Sequence, residues 1–448
     1  MRELSEHITT PSNGADTPVA VIGAACRFPG GATDPASFRR LLADGTATIG
    51  PVPESRWTQR QLAGLDPDIA ERLRWGCFLD SGIGGFDPGL FGISPDEAPW
   101  LDPNHRLSLG VVWEACEPTG IPVSSLGGAR TGVFADVFSR DYTLWARRPA
   151  GRTSACFGFS SHGTLVSFLL DLHGPGIAVD TACSSSLVAI HLASQSLQRD
   201  ESDLALCGGV QLILAPGPGV SYARWGMLSP TGQSLPFDAE ANGFVRGEGG
   251  GVVVPKRLAN AHRDGGRVLA VIRGTAVNQD GRSARLTAPS QAAQEAVFRR
   301  ALDRAAVEAS RIDMVEAHGP GAPVGDPIGF ASTAAVYGQG PSPCALGSAK
   351  GDIGHTEAVS GAAGPLKTVL ALHHGVIPPS VGFRQQSRDL ATDGTRLSSI
   401  GPDSLMALAL RNRLEQSLGM KIPRTVIRTS PSISALVENI LMNIEPTV

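Results

Sequence analysis

Residues 177–187 have the sequence IAVDTACSSSL, which predicts a strand, a tight turn and a helix in succession. The apolar run ends before Asp180, and small residues around Cys183 lead into apolar positions with helical spacing. This pattern places Cys183 at the beginning of a helix, where unpaired N–H groups and the helix dipole favour a thiolate. Cys183 is therefore a candidate covalent nucleophile, and the alternative is a small buried core cysteine.

Length and composition indicate a large globular protein that is rich in turns. The chain has 448 residues, with 54 glycines, 33 prolines, 42% hydrophobic residues and 18% charged residues. The length suggests two or three domains. A net charge of −4 without a basic cluster gives no reason to expect nucleic acid as a partner. No run approaches the ~18–20 apolar residues of a membrane span, and residues 1–17 are interpreted as a leader without a signal peptide.

The cysteine distribution and the lack of ligand-binding motifs argue against a disulfide scaffold, a metal site and a nucleotide site. The seven cysteines are scattered, odd in number and never spaced as CxxC. This distribution predicts free thiols in a reducing cytoplasm rather than a disulfide scaffold or a zinc site. Neither a metal-ligand cluster nor a Walker A loop is found in the sequence, so we expect no metal and no nucleotide.

Short apolar runs and helical segments alternate along most of the chain. Strands are predicted at 19–23, 131–134, 177–179, 204–209, 251–255, 268–272, 314–318 and 345–348. Helices are predicted at 34–42, 106–116, 160–172, 290–306, 326–336 and 360–373. This alternation predicts an α/β sandwich with mostly parallel sheets. The second half of the chain repeats the strand–helix alternation of the first half.

Two histidines lie in glycine-rich turns that follow predicted strands. His318 stands in EAHG and His355 in GDIGHTE. A histidine can deliver a proton or a hydrogen bond near neutral pH. A cysteine combined with histidines from elsewhere in the fold is a usual arrangement for acyl transfer, although each histidine alone is also explained as a loop or core residue.

A series of short motifs follows one another along the chain. They are VAVIG at 19–23, CRFPGG at 26–31, FGISP at 91–95, DTACSSSL at 180–187, PFD at 236–238, RGEG at 246–249, LTAP at 286–289, EAHG at 316–319, GDPI at 325–328 and GHTEA at 354–358. Over about residues 18–380 the sequence resembles the β-ketoacyl synthase domain of modular type I polyketide synthases. The resemblance implies a doubled thiolase-like α/β/α/β/α sandwich that is normally a homodimer.

The resemblance also implies a reaction, the decarboxylating Claisen condensation. Cys183 would accept an acyl group from a carrier thioester. His318 and His355 would promote decarboxylation of a carrier-bound malonyl-type extender and stabilise the enolate, which would attack the acyl-Cys183 thioester. Lys350 matches the family's lysine, and together with Glu357 it is expected to support the histidines.

The C-terminal segment resembles the acyl carrier proteins of polyketide synthases. Residues 401–406, GPDSLM, are similar to the carrier attachment motif, and residues 408–419 predict the helix that follows it. Ser404 would carry covalent 4′-phosphopantetheine, and the alternative is a serine that only caps a helix. The carrier part is expected to be a small, partial all-α bundle, because its first helix is absent.

Several positions depart from the family pattern. The glycine-rich loop and final strand expected after Ser380 are replaced by polar residues, which predicts exposed sheet edges and either poor stability or self-association. Pro320 and Ala322 replace two threonines that contact pantetheine in the family. Gly329 stands where the family usually has Glu, and Asp352 stands where it has Asn.

The predicted organisation is an N-terminal synthase region joined to a C-terminal carrier region. Its parts are a leader (1–17), the N-terminal half of the ketosynthase (18–255), a truncated C-terminal half (256–383), a linker (384–396) and a partial carrier (397–448). The leading hypothesis is a β-ketoacyl synthase that uses acyl and malonyl-type thioesters on carrier proteins, supplied by a separate acyltransferase and other polyketide synthase chains. The alternative is a catalytically inactive remnant that acts only as a carrier or interaction protein.

Overall fold

The computed structural model describes residues 17–136, 141–142, 161–285, 287–340, 343–387, 390 and 397–399. The first half is built on a mixed sheet of six strands in the order β5-β4-β6-β7-β1-β8. These strands are β1 (Val19–Arg27), β4 (Thr131–Asp136), β5 (Gly176–Val179), β6 (Leu204–Gln211), β7 (Gly249–Arg257) and β8 (Ala270–Ile272). A separate two-stranded ribbon joins β2 (Gly50–Pro51) to β3 (Trp75–Gly76).

The central strands of this sheet are buried on both faces. All but the last residue of β1 are buried, and so are all the residues of β4 and β6. Alternate side chains of β1 pack into two separate core clusters. Val19 and Val21 lie in the cluster on one face of the sheet, and Ala20 and Ile22 lie in the cluster on the other face. The sheet is therefore the middle layer of a sandwich.

The expectation of mostly parallel sheets is wrong for this sheet. Strand β4 runs parallel to β5 and β6, but β7 is antiparallel to both β1 and β6, and β8 is antiparallel to β1. Strand β8 also joins the first sheet instead of opening the second. Strand direction depends on long-range pairing, which the local apolar pattern does not encode.

The second half has a smaller parallel sheet with the order β11-β10-β9. Its strands are β9 (Met314–Glu316), β10 (Cys344–Gly347) and β11 (Leu397–Ser399). The sequence predicted that no final strand would cover this sheet, and that expectation is wrong at the edge of β10. The tripeptide Leu-Ser-Ser of β11 pairs there, residue for residue, through its backbone.

Helices cover the sheets. They are α1 (Pro35–Ala43), α2 (Pro67–Arg72), α3 (Pro103–Cys116), α4 (Ser161–Leu169), α5 (Ser185–Gln198), α6 (Gly217–Arg224), α7 (Leu258–Arg263), α8 (Gln291–Ala305), α9 (Gly325–Tyr337), α10 (Lys350–Ile353) and α11 (Ser360–His374). Helices α1, α3, α4, α5, α8, α9 and α11 agree with predicted segments within a few residues, whereas the short helices α2, α6, α7 and α10 were not predicted. Asp34 caps α1 through the Ser37 N–H, and Ser290 caps α8 through the Ala293 N–H, because each side-chain oxygen satisfies a free donor at a helix start.

Helices α5 and α11 are the two that position the site. Both pack into the same core cluster, which includes Ala189, Ile190, Ala362 and Leu366. Among the described residues, no helix is long and apolar enough to cross a membrane. The partial carrier predicted for residues 397–448 lies outside the described residues except for β11.

Candidate active site

Cys183 lies on a sharp turn between β5 and α5. The turn Ala182–Ser184 is a short 3-10 segment, and Ala182 has a φ of 55°, which is a strained, left-handed conformation for a residue with a side chain. Side-chain hydrogen bonds hold the turn: the Thr181 N–H donates to Ser185 Oγ at 2.9 Å, and Ser185 Oγ donates to the Ala182 carbonyl at 2.7 Å. The predicted strand–turn–helix is therefore present, with Cys183 half-buried just before the first turn of α5.

Burial outweighs the effect that the helix start was expected to have on the Cys183 thiol. Burial raises the pKa of the Cys183 thiol, and the charge of Glu357 raises it further. Lys350 acts in the opposite direction but does not outweigh burial. Cys183 is thus a thiol at rest, and its reactivity depends on the charges around it.

The N-terminal turns of α5 and α11 are in direct contact, and this contact brings distant parts of the chain together. A Cβ atom placed on Gly361 would lie 2.3 Å from the backbone nitrogen of Leu187, so only glycine allows this approach. Ser186 Oγ donates a hydrogen bond to the Ala358 carbonyl. The segment that carries His355 is therefore fixed against the helix that follows Cys183.

His355 is buried and held in one tautomer. The Glu357 N–H donates to its Nδ1 at 3.0 Å, and Ser360 Oγ lies 3.0 Å from the same atom. Because a backbone N–H can only donate, Nδ1 carries no proton and the neutral ring carries its proton on Nε2. Burial, followed by the charge of Lys350, lowers the pKa of His355 well below its usual value. His355 is consequently a neutral hydrogen-bond donor through Nε2.

His318 faces His355 across the site. The two ring centroids are 5.4 Å apart and the ring planes are nearly perpendicular, at 82°. Phe244 packs edge-on against the other side of His355, with centroids 4.9 Å apart. The His318 side chain is more exposed than that of His355, and desolvation together with Lys350 lowers its pKa. The histidines predicted from separate motifs are therefore neighbours, and both are neutral near pH 7.

The positive charge of Lys350 acts on all three candidate catalytic residues. Its charge acts on Cys183, His318 and His355, lowering the pKa of each. Its side chain is buried at the beginning of α10, and this burial lowers its own pKa. A single positive charge thus favours a thiolate at Cys183 and disfavours imidazolium at both histidines.

Glu357 anchors a buried polar network behind the site. Its carboxylate accepts hydrogen bonds from Arg246 Nε and Nη2 and from Gln211 Nε2, the last at 3.0 Å. The guanidinium of Arg246 also lies over the Tyr222 ring, 5.5 Å from its centroid. Sequence reasoning missed the roles of Arg246, Gln211 and Tyr222. The RGEG motif pointed to Arg246, but nothing local marked the other two.

A carboxylate holds the loop that follows His318. Asp326 accepts hydrogen bonds from the backbone N–H groups of Phe237, Gly321 and Ala322, at 2.9 to 3.2 Å. The loop therefore keeps a defined conformation although Pro320 and Ala322 supply no hydroxyl groups.

Comparisons with known proteins agree with this geometry. The β-ketoacyl synthase N-terminal domain matches residues 16–261, and the β-ketoacyl synthase C-terminal domain matches residues 269–384. The chain belongs to the β-ketoacyl synthase family. A third model, the phosphopantetheine attachment site, matches residues 386–440 and is the reason to expect covalent 4′-phosphopantetheine. Ser404 lies within that match but outside the residues that the structure describes.

Two relatives of known identity are large proteins of polyketide synthesis. The chain is 50% identical over 409 residues to a phenolphthiocerol/phthiocerol polyketide synthase protein of Mycobacterium tuberculosis, covering 88% of this chain and 22% of that protein. It is 48% identical over 385 residues to a second protein of the same synthase and organism, covering 85% of this chain and 25% of that protein. The chain therefore spans about a fifth to a quarter of the length of these relatives.

Solved ketosynthases share the fold. The ketosynthase from module 6 of the bacillaene synthase of Bacillus subtilis 168 has a TM-score of 0.79 and 35% identity, covering 86% of this chain and 66% of that one. An oxazolomycin ketosynthase domain from Streptomyces albus JA3453 has a TM-score of 0.79 and 33% identity, covering 86% and 68%. The thiolase-like fold predicted from the motifs is thereby confirmed. Within the described residues, no group of three or more His, Cys, Asp or Glu side chains is arranged to hold a metal ion.

Proposed function

We propose that this chain catalyses the decarboxylative Claisen condensation of polyketide assembly, with Cys183 as the acyl acceptor and His318 and His355 as the donors that stabilise the enolate. The observation that carries the proposal is the pairing of the two imidazole rings, whose centroids are 5.4 Å apart, in a setting where burial and Lys350 lower the pKa of both. Neutral N–H donors suit an enolate oxygen, whereas an imidazolium would lose its proton to it.

The first step transfers an acyl group to the enzyme. The sulfur of Cys183 attacks the carbonyl carbon of a carrier thioester, and the carbon–sulfur bond to pantetheine breaks. The thiol proton of Cys183 ends on the released pantetheine thiol. We assign the tetrahedral oxyanion to the Cys183 N–H at the start of α5, where the helix dipole favours negative charge.

The second step forms the new carbon–carbon bond. A carrier-bound malonyl-type extender loses carbon dioxide, and the electron pair of the broken bond becomes the enolate that His318 and His355 stabilise. The enolate carbon attacks the acyl carbonyl on Cys183. The carbon–sulfur bond to Cys183 breaks, the β-ketoacyl product stays on the carrier, and the Cys183 thiolate takes up a proton. The positive charge of Lys350 stabilises the negative charge that develops in the acyl-transfer step and in the condensation step.

The direct test is acylation of Cys183. The purified chain is incubated with an acyl-pantetheine thioester, and peptide mass spectrometry locates the added mass, with Cys183→Ala as the matched control. We expect the acyl mass on the Cys183 peptide of the natural chain alone. A folded chain that remains unacylated would contradict the enzyme proposal and favour the inactive carrier or interaction protein.

We also propose that Ser404 carries 4′-phosphopantetheine and that residues 397–448 form a partial carrier. The phosphopantetheine-attachment match supports this assignment. Incubation with coenzyme A and a phosphopantetheinyl transferase should add the mass of phosphopantetheine to the natural chain but not to Ser404→Ala. Failure of the natural chain to gain this mass would contradict the assignment without affecting the Cys183 test.

The matched family domains, the edge of β5 and the free cysteines are the basis for three proposals about partners, assembly and location. The matched families supply a condensing domain and an attachment site, so we propose that a separate acyltransferase and other polyketide synthase chains load the extender. We propose a homodimer, supported by the outer edge of β5, which no described residue pairs. The described cysteines, six in number, are all free, which supports a reducing, cytoplasmic location.

A further inference from the structure

The boundary between the synthase region and the attachment-site match is packed against the body of the protein. The ketosynthase C-terminal match ends at residue 384, and the phosphopantetheine-attachment match begins at residue 386. Residues 384–387, which span this boundary, form the junction. Just beyond the junction, Leu390 is only 4% exposed and belongs to a core cluster with Phe237 and Phe330. The chain that leads into the attachment-site match is therefore anchored to the synthase region.

Asp238, the last residue of the PFD motif, binds the main chain of the junction. Its side chain is buried, and Oδ2 accepts hydrogen bonds from the N–H groups of Arg384 and Gln385, at 2.7 and 2.8 Å. The Gln385 carbonyl in turn accepts a hydrogen bond from the Ala239 N–H at 2.8 Å. Hydrogen bonds to a charged carboxylate are stronger than those between neutral groups, so Asp238 fixes the position of the junction backbone.

Phe237, the residue before Asp238, joins the junction to the loop of His318. Its carbonyl accepts a hydrogen bond from the Ser387 N–H at 3.4 Å. Its φ of 62° is a left-handed value that strains a residue with a large side chain, and such a conformation persists only where the surroundings hold it. A Cβ atom added to Gly319 would come within 2.7 Å of the Phe237 ring. The ring therefore packs against the main chain directly after His318.

Asp326 gives Phe237 a second connection to the same loop. The carboxylate that accepts the Phe237 N–H also accepts the N–H groups of Gly321 and Ala322. A shift of Phe237 would therefore disturb the loop at two places, the contact with Gly319 and the hydrogen bonds of these two N–H groups.

We propose that Asp238 is a positioning residue for His318: by holding the junction, it keeps Phe237 against the loop and so orients the imidazole that stabilises the enolate. The turn of Cys183 is held differently, by its own side chains and by the packing of α5 on α11. Among the described residues no hydrogen bond joins that turn to the PFD motif. The part of the site that acts on the extender thus depends on the junction, whereas the acylation of Cys183 does not. This inference rests on the role of His318 in the proposed function.

The test compares two partial reactions in the natural chain, Asp238→Ala and Asp238→Asn. Decarboxylation of malonyl-pantetheine depends on the imidazole donors and is followed by the release of acetyl-pantetheine. Acylation of Cys183 by an acyl-pantetheine thioester is followed by peptide mass spectrometry. We expect Asp238→Ala to slow decarboxylation by about 10²-fold, because a displaced donor no longer meets the enolate oxygen, and to leave acylation unchanged. Asp238→Asn keeps one oxygen that can accept from the junction and should recover most of the lost rate.

A matched pair of variants at Gln385 tests the same link from the junction. The Gln385 side chain is exposed, and Gln385→Pro removes the N–H that Asp238 accepts, because proline has no backbone N–H. Gln385→Ala keeps this donor. Gln385→Pro should therefore slow decarboxylation and Gln385→Ala should not, while both variants are acylated at Cys183 at the natural rate. Equal rates of decarboxylation in the two variants would contradict the link between the junction and the site.

Hydrogen exchange measures the link without any reaction. Mass spectrometry of the peptide that contains Gly321 and Ala322 should show faster exchange in Asp238→Ala than in the natural chain, with unchanged exchange in the peptide of Cys183. Unchanged exchange at the loop, or equal losses of decarboxylation and acylation, would overturn the inference. A natural chain that carries out neither reaction would contradict the proposed function, and the exchange at Gly321 and Ala322 would then decide the inference alone.

Discussion

At the scale of single residues, the site combines a thiol that is difficult to ionise with two imidazoles that are difficult to protonate. Sequence motifs singled out Cys183, His318 and His355, and the fold brings the turns of the two histidines together. The motifs did not give the proton states, which depend on burial and on the charges of Lys350 and Glu357, two residues that lie far from Cys183 in the sequence. Electrostatics of this kind is a property of the packed site, not of a motif.

The neutral histidines predict a specific ranking of variants. His318→Ala and His355→Ala each remove an N–H donor and should lower the rate of malonyl-pantetheine decarboxylation by about 10²–10³-fold. Asn at position 318 and Gln at position 355 keep an amide donor and should retain more activity than Ala. The released acetyl-pantetheine is measured by mass spectrometry. Equal losses for the amide and Ala variants would argue against a donor role.

The same proton states predict how stability changes with pH. The pKa of His355 is lowered in the folded chain, so below about pH 6.5 the unfolded chain binds a proton that the folded chain does not. This contribution to stability is complete above pH 6.5 and decreases as the pH falls. His355→Gln lacks the titration, and its deficit in Tm against the natural chain should therefore shrink between pH 7.5 and pH 5. A deficit that stays constant would show that His355 titrates alike in both states.

At the scale of elements, local patterns predicted the longer helices and most of the buried strands, but not four short helices or the strand pairing. The apolar run of β1 and the capped helix α1 were predicted within a few residues. The antiparallel pairing of β8 with β1 was not, because strand direction is set by partners far away in the chain. Strand β11 has the sequence Leu-Ser-Ser and carries no apolar signature, so only its backbone pairing with β10 reveals it.

The crossing of α5 and α11 is the element contact on which the site depends most. In Gly361→Ala the added methyl group would collide with the backbone of Leu187, and neither helix start can move without displacing the turns of Cys183 and His355. We expect a loss of about 1–3 kcal/mol in the free energy of unfolding, measured with urea, and slower alkylation of Cys183.

A matched control for this variant is Gly110→Ala, within α3. Nothing lies within 4 Å of a Cβ atom at Gly110, and alanine is the better helix former, so this change should stabilise the chain by about 0.5–1 kcal/mol. Equal effects of the two substitutions would mean that the helix starts do not need the close approach at Gly361.

At the scale of the whole molecule, β5 presents an edge that the described part of the chain does not pair. It pairs with β4 on one side, and no described residue pairs with its other edge. Ile177 on this strand is 40% exposed, and Phe168 on the adjacent α4 is 79% exposed. An open strand edge next to exposed apolar side chains favours pairing with another chain, and a second copy offers the same edge in the symmetric arrangement that most dimers use.

The proposed homodimer is tested by removing this apolar surface without touching the core. Phe168→Asp places a charge beside the free edge of β5, where a partner strand would have to bury it, and should convert a dimer into a monomer by light scattering at micromolar concentration. Leu372→Asp is the matched control, because Leu372 is 67% exposed on α11, away from β5, and should leave the mass unchanged. A natural chain that is monomeric would contradict the homodimer, and a Phe168→Asp chain that remains dimeric would show that the interface lies elsewhere. Since the turn with Cys183 begins where β5 ends, loss of the dimer should also slow the alkylation of Cys183, which links the assembly of the molecule to the chemistry of its site.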